Sequence, residues 1–200
     1  MDLAERRVER GFETVDSNKL FFRLVGASLA AAAVGGAAGT ASASTQGSLG
    51  ATSTGSVSIS ASVPSRVRIS GLSDVAFSNV DPSVAAANAQ NVCVWSNTST
   101  KGYQLTATGS GASNAFTLAN ASLTVPYTVE WSGSSGQSSG TALTSGSALT
   151  GLTSAATNAN CASGPASSAS LIVRIGAASL QSMDASTSYT GTLTLLVAPE

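Results

Sequence analysis

Cys93 and Cys161 are the only cysteines in the chain, and histidine is absent. That combination narrows the chemistry. A catalytic thiol would have no imidazole to activate it. Two thiolates without histidine and without a C-x-x-C pair make a poor metal site. In an exported protein two cysteines most simply form one disulfide. Closing a loop over their separation of 68 positions stabilises the fold by roughly 4 kcal/mol in the chain-entropy account. The carboxylates offer little more. Glu130 and Asp184 are the only acids away from turns and termini, and Glu130, between Val129 and Trp131, is expected to be a solvated or edge charge. Asp74 and Asp81 sit in turn contexts without the spacing of a calcium loop. No serine lies in G-x-S-x-G. The expectation is therefore no enzyme, no metal and no cofactor.

A second group of residues could recognise rather than react. Trp95, Tyr103, Tyr127, Trp131 and Tyr189 could form a sugar-binding platform. They fall on alternating positions of apparent strands, so packing in a core is the expected role.

The elements that hold these residues read as short strands. Alternation marks Arg66–Ile69, Val75–Phe77, Asn91–Trp95, Tyr103–Thr108, Ala115–Leu118, Val125–Trp131 and Ala169–Ile175. The clearest is Tyr189–Val197, where Tyr189, Gly191, Leu193, Leu195 and Val197 share one face. Ala85–Ala89 reads as one helical turn at most, and another falls near Leu180 and Met183. Asn79–Ser83 is a turn and Thr153–Ser168 a loop around Cys161. Many short strands without a long helical pattern indicate an all-β sandwich or barrel.

Of 200 residues 10% are charged, with a formal net charge of -1. From Ser44 onward the only cations are Arg66, Arg68, Lys101 and Arg174. No basic patch interleaved with aromatics exists, which argues against nucleic acid. Low charge also removes a common guard against edge-to-edge pairing, a hazard in a monomer and tolerable in a subunit that polymerises.

The front of the chain reads as an export signal over 1–43. Asn18–Arg23 is basic, Leu24–Gly39 is apolar, and Ala41-Ser-Ala43 is an A-x-A site with cleavage between Ala43 and Ser44. The apolar run is short and rich in Ala and Gly, so a retained membrane span is not expected. Residues 44–63 form a Ser/Thr/Gly-rich extension that ends in an alternating stretch, Val57, Ile59, Ala61 and Val63. This stretch is either a first strand of its own domain or a strand donated elsewhere. A domain over 64–200 follows. It closes on its best strand, with no later segment to pair with it.

Taken in order, Asn91-Val-Cys-Val-Trp-Ser96, Tyr103-Gln-Leu-Thr-Ala107, Ala115-Phe-Thr-Leu118, Pro126-Tyr-Thr-Val-Glu-Trp131, the lone Cys161 and Tyr189–Val197 resemble the spore coat protein U family of secreted domains and the related archaic chaperone–usher pilins. Val57–Pro64 also resembles the N-terminal strand of alpha-type fimbrial subunits. The resemblance implies an incomplete immunoglobulin-like sandwich completed by a donor strand. A periplasmic chaperone and then, at an outer-membrane usher, another subunit would supply that strand. It places the donor at Val57, Ile59, Ala61 and Val63. The acceptor groove falls along Tyr189, Leu193, Leu195 and Val197. The implied product is a secreted, surface-exposed fimbria. The other readings are a non-polymerising coat or matrix protein and a carbohydrate-binding adhesin subunit.

Overall fold

The structure, a computed structural model, describes residues 44–200. The expected signal and its boundary residue Ala43 lie outside the described residues. The described residues fall into two units, one ending at Ser60 and the other Ala61–Glu200.

In the first unit, Thr45 and Ser56 exchange both backbone hydrogen bonds at 3.0 Å, and their hydroxyls meet at 2.6 Å. Beyond that bridge Val57–Ser60 joins no sheet.

The second unit is built from strands. They are β1 (Val67–Ser70), β2 (Ala86–Ser96), β3 (Gly102–Gly109), β4 (Thr117–Asn120), β5 (Leu123–Pro126), β6 (Thr128–Ser132), β7 (Thr141–Ala142), β8 (Ala148–Thr153), β9 (Ala169–Ile175) and β10 (Leu193–Pro199), with one short helix, α1 (Ala177–Gln181). One sheet has the order β1-β2-β9-β6-β7 and the other β10-β3-β8, and β4 and β5 form a hairpin. Every ladder is antiparallel. The run β1-β2-β9-β6 follows the A-B-E-D order of an immunoglobulin-type sheet, and β3 and β10 take the places of C and F in the facing sheet.

One core joins the two sheets. Val92 and Val94 of β2, Val129 and Trp131 of β6, and Leu171, Val173 and Ile175 of β9 pack with Tyr103 and Leu105 of β3. Leu193, Leu195 and Val197 of β10 close over them. The Trp131 indole N–H donates to the Tyr103 hydroxyl at 3.1 Å, which satisfies the two polar atoms these large rings bring inside. Burial raises the Tyr103 pKa, and the Trp131 hydrogen bond partly opposes that rise.

Cys93 and Cys161 are joined by a disulfide across 6.0 Å between Cα atoms. It pins the 154–168 loop to β2 beside Ala156, with Trp95 packed against it. Buried serines continue the attachment. The Ser168 hydroxyl accepts from the Val94 N–H and donates to the Val94 carbonyl, both at 2.8 Å. The Ser154 hydroxyl donates to the same carbonyl.

Four local expectations are corrected. Ala85–Ala89 is not a helical turn. Ala86–Ala89 pairs with β9, Ala86 opposite Ile175, so tertiary pairing overrides the helix preference of alanine. Val125–Trp131 is not one strand. It breaks at Tyr127, whose N–H bonds the Phe116 carbonyl at 2.9 Å, and β5 pairs with β4 while β6 pairs with β9. Val75–Phe77 keeps its in–out alternation but joins no ladder.

Glu130, finally, is no free surface charge. Its Oε1 accepts from Arg174 Nε at 2.9 Å and its Oε2 accepts from the Gly140 N–H at 2.9 Å. Arg174 also donates to the Ser138 carbonyl. The pair thus holds the loop after β6 down on the sheet. Arg174 is 37% exposed, so solvent screening keeps the pair's worth modest. Glu130→Ala should destabilise the fold by about 1 kcal/mol, read as a shift in urea midpoint at unchanged slope.

Candidate functional site

Backbone parity along β10 defines the site. The Glu200 N–H donates to the Gly102 carbonyl at 3.2 Å, and the register runs Ala198 opposite Gln104, Leu196 opposite Thr106 and Thr194 opposite Thr108. Hydrogen bonding alternates along an antiparallel strand. The even-numbered residues therefore bond to β3. Leu193, Leu195, Val197 and Pro199 turn their backbone groups to the outer edge, where no strand pairs among the described residues. The free stretch has two ends. Pro199 carries no N–H. At the other end Thr190 exchanges both backbone bonds with Ala119, at 3.0 and 2.8 Å, and the Thr192 N–H goes to the Ser110 hydroxyl at 2.9 Å.

Facing this edge is a second unpaired rail. The Gln90 amide holds Ser73 by both backbone groups, at 2.7 and 2.9 Å. The chain is next fixed at the Asp81–Ser83 turn, where the Ser83 N–H and hydroxyl donate to the Asp81 carboxylate. Those bonds hold the Asp81 pKa below its ordinary value. Between the two fixed points, Asp74–Val80 makes no backbone–backbone hydrogen bond among the described residues. Val75 and Phe77 point inward, half-buried.

Between the rails lies a groove of about 1240 Å³. Its floor is Leu171, Val173 and Ile175 of β9 with Leu118, Tyr127 and Leu180. Burial raises the Tyr127 pKa, and the ring lies 5.7 Å from that of Phe116. Asp74 and Asp184 are the only charged residues in the lining. An extended, apolar and uncharged occupant would match the floor with its side chains and both rails with its backbone.

Of the residues singled out in sequence, Tyr189, Leu193 and Leu195 line this groove. Tyr189 is buried and its hydroxyl accepts from the Asp184 N–H at 3.1 Å. Val197 packs on the core and is not part of the lining. Val57, Ile59 and Val63 are 72%, 89% and 82% exposed, and Ser44 and Ala61 are exposed too. The disulfide Cys93–Cys161 belongs to the second core cluster, with Ala156, and not to the groove. Tyr103, Tyr127, Trp131 and Tyr189 are buried and Trp95 is half-buried, so the five aromatics form no exposed platform. Sequence reasoning missed the rail over 72–80 and the floor from β9 and α1. The alternation Val75-Ala-Phe77 was the available signal for the rail.

Among the described residues no cluster of His, Cys, Asp or Glu could hold a metal ion. No helix among them is long and apolar enough to cross a membrane.

No family model matches the chain, and a comparison with curated proteins found no match. Among solved structures the chain is similar to one described as "Chaperone-tip adhesin complex is vital for synergistic activation of CFA/I fimbriae biogenesis". The TM-score is 0.43 at 15% identity, over 68% of this chain and 41% of that one. The chain thus spans about two fifths of that structure's chain, and so distant a likeness has no bearing on function.

Proposed function

We propose that the chain is a structural subunit of a surface fimbria assembled by strand exchange. The observation that carries this reading is the pair of unpaired backbone rails, β10 and 72–80, bordering one apolar groove. The place beside β10 is where strand G stands in a complete immunoglobulin-type domain. The occupant is the alternating stretch Val57–Val63 of a second copy. A periplasmic chaperone holds the groove beforehand, and an outer-membrane usher makes the exchange, as the sequence resemblance implies. Export through the periplasm after cleavage between Ala43 and Ser44 belongs to the same proposal.

The chemistry of donor and acceptor agrees. Residues 55–63 carry no charge, so the donor meets no repulsion from Asp74 and Asp184. In either strand direction, the apolar side chains must face the floor with Leu193, Leu195 and Val197. In paired strands directly opposite residues point to the same face. Val57, Ile59, Ala61 and Val63 then lie opposite the residues whose backbone groups are free. Burying Val57, Ile59 and Val63 contributes about 1.5–3 kcal/mol each. Backbone pairs add about 0.5–1.5 kcal/mol each.

A peptide of residues 55–63 tests this reading. It is added to protein carrying Val57→Asp and Ile59→Asp, whose own donor cannot enter an apolar groove. At a hundredfold excess over Kd the linkage gain is about 2.7 kcal/mol, a rise in Tm of roughly 5–10 °C. No shift with this peptide, or an equal shift with one that has aspartate at the Val57 and Ile59 positions, would favour a coat or matrix protein that is complete in itself.

A further inference from the structure

We propose that a bulge at Gly151, held by the Glu200 carboxylate, closes β8 to strand pairing, so that of the two free edges of the β10-β3-β8 sheet only β10 takes a strand. The part of β10 in this rests on the groove being a strand acceptor, as proposed above.

By length and packing the two edges are alike. Neither has a strand on its outer side among the described residues. β8 has six residues and β10 seven. Leu149 and Leu152 of β8, like Leu193 and Leu195 of β10, are half-buried and pack on the core. Ala148–Thr153 contains no charge and no proline, so the common guards of an exposed edge are missing. A regular β8 would be open to a strand of a second copy.

The register supplies the difference. Leu152 lies opposite Tyr103 and Leu149 opposite Leu105. Thr150 and Gly151 therefore share the place opposite Gln104, and Gly151 has a φ of 72°. This is a β-bulge with glycine in the left-handed region. Gln104, Thr106 and Thr108 bond to β10, so Tyr103, Leu105 and Ala107 turn their backbone groups to β8. The bond from the Ser154 N–H to the Lys101 carbonyl, at 3.0 Å, has the same parity. On β8 the outward backbone groups are then those of Ala148 and Thr153, on opposite sides of the bulge. Its inward side chains, Leu149 and Leu152, stand three positions apart. Those of β10, Leu193, Leu195 and Val197, stand two apart, as do Val57, Ile59, Ala61 and Val63. A strand of period two that matches β8 before the bulge presents its wrong face after it. The regular run on each side is only two residues, Ala148 with Leu149 and Leu152 with Thr153.

Glu200 holds this geometry. It lies beyond β3 from β8, where its N–H donates to the Gly102 carbonyl. Its side chain reaches back across β3, and Oε2 accepts from the Gly151 N–H at 2.8 Å. A charge-assisted bond thus occupies the amide of the bulge and ties the two edge strands together.

The test uses the exported protein with Val57→Asp and Ile59→Asp, whose own donor is disabled, so that β8 is read alone. Deleting Gly151 brings Leu149 and Leu152 into step. The deletion should raise the dimer fraction about tenfold, the worth of one or two restored backbone pairs, and slow amide exchange at Ala148 and Thr153. Glu200→Ala changes an exposed side chain and should raise the dimer fraction about twofold by loosening the bulge. A folded deletion variant that stays monomeric overturns the inference. If the deletion variant does not fold, Glu200→Ala decides, and an unchanged dimer fraction overturns the inference. A dimerising deletion beside an unresponsive Glu200→Ala would overturn the role of Glu200. Peptide 55–63 separates the two layers. On the Val57→Asp/Ile59→Asp protein it should slow exchange at Leu193, Leu195 and Val197 and leave Ala148 and Thr153 unprotected. Protection at Ala148 and Thr153 overturns the closure of β8. No protection along β10 removes the acceptor reading, and the closure of β8 is then judged by the deletion alone.

Discussion

Replacing Val57 and Ile59 together by aspartate should abolish multimer formation while leaving each domain folded. Both side chains are exposed, at 72% and 89%, so the substitutions remove no packing within the described chain. Surface changes of this kind fall within about 0.5 kcal/mol of neutral. Their cost arises on insertion. Each carboxylate would have to lie on the floor made by Leu171, Val173 and Ile175, where no cation is available. An unpaired buried charge costs several kcal/mol or neutralises at a similar cost. The loss should exceed a hundredfold in assembly, since every 1.4 kcal/mol is tenfold. Unheated, non-reducing gels should show the wild-type ladder collapse to one band. Val57→Ser with Ile59→Ser should be intermediate, because it forfeits burial without adding charge.

The second large effect concerns the disulfide. Replacing both Cys93 and Cys161 by alanine should destabilise the domain by roughly 4 kcal/mol, the entropy of freeing a loop this long. For a domain of this size that is a fall in Tm of about 8–16 °C. The remaining attachments of the loop, through Ser154 and Ser168 to Val94, are neutral hydrogen bonds of about 1 kcal/mol each and cannot offset it. Melts with and without reductant should differ by the same amount in the wild type and not at all in the double variant. Trp95 packs against the disulfide, so its fluorescence should follow the transition.

Much of this fold was legible in the sequence, for a definable reason. β9 and β10 carry their burial in their own letters. Ala169–Ile175 is apolar nearly throughout and sits centrally, while Leu193, Leu195 and Val197 alternate with exposed neighbours. The partner of Cys93 followed from the count of cysteines. What escaped depends on neighbours in space. Ala86–Ala89 becomes strand only because β9 lies beside it. The switch of sheets at Tyr127 is set by a bond to Phe116, and local alternation runs straight through it. Glu130 finds Arg174, 44 positions away. The groove was half visible. Its β10 border follows from period two, but its other border is a segment defined by the pairing it does not make.

Strand exchange between copies is tested most directly by a crosslink between two differently marked proteins. One carries Ile59→Cys. The other carries Leu193→Cys, Leu195→Cys or Val197→Cys in turn, with Leu196→Cys, 65% exposed on the outer face of β10, as the control. The exported proteins are mixed under assembly conditions and bridged with a short bismaleimide. A heterodimer is expected with at least one of the inward positions and not with Leu196→Cys, because only inward residues share the groove with Ile59. No heterodimer at any inward position, with multimers still forming, would contradict strand exchange.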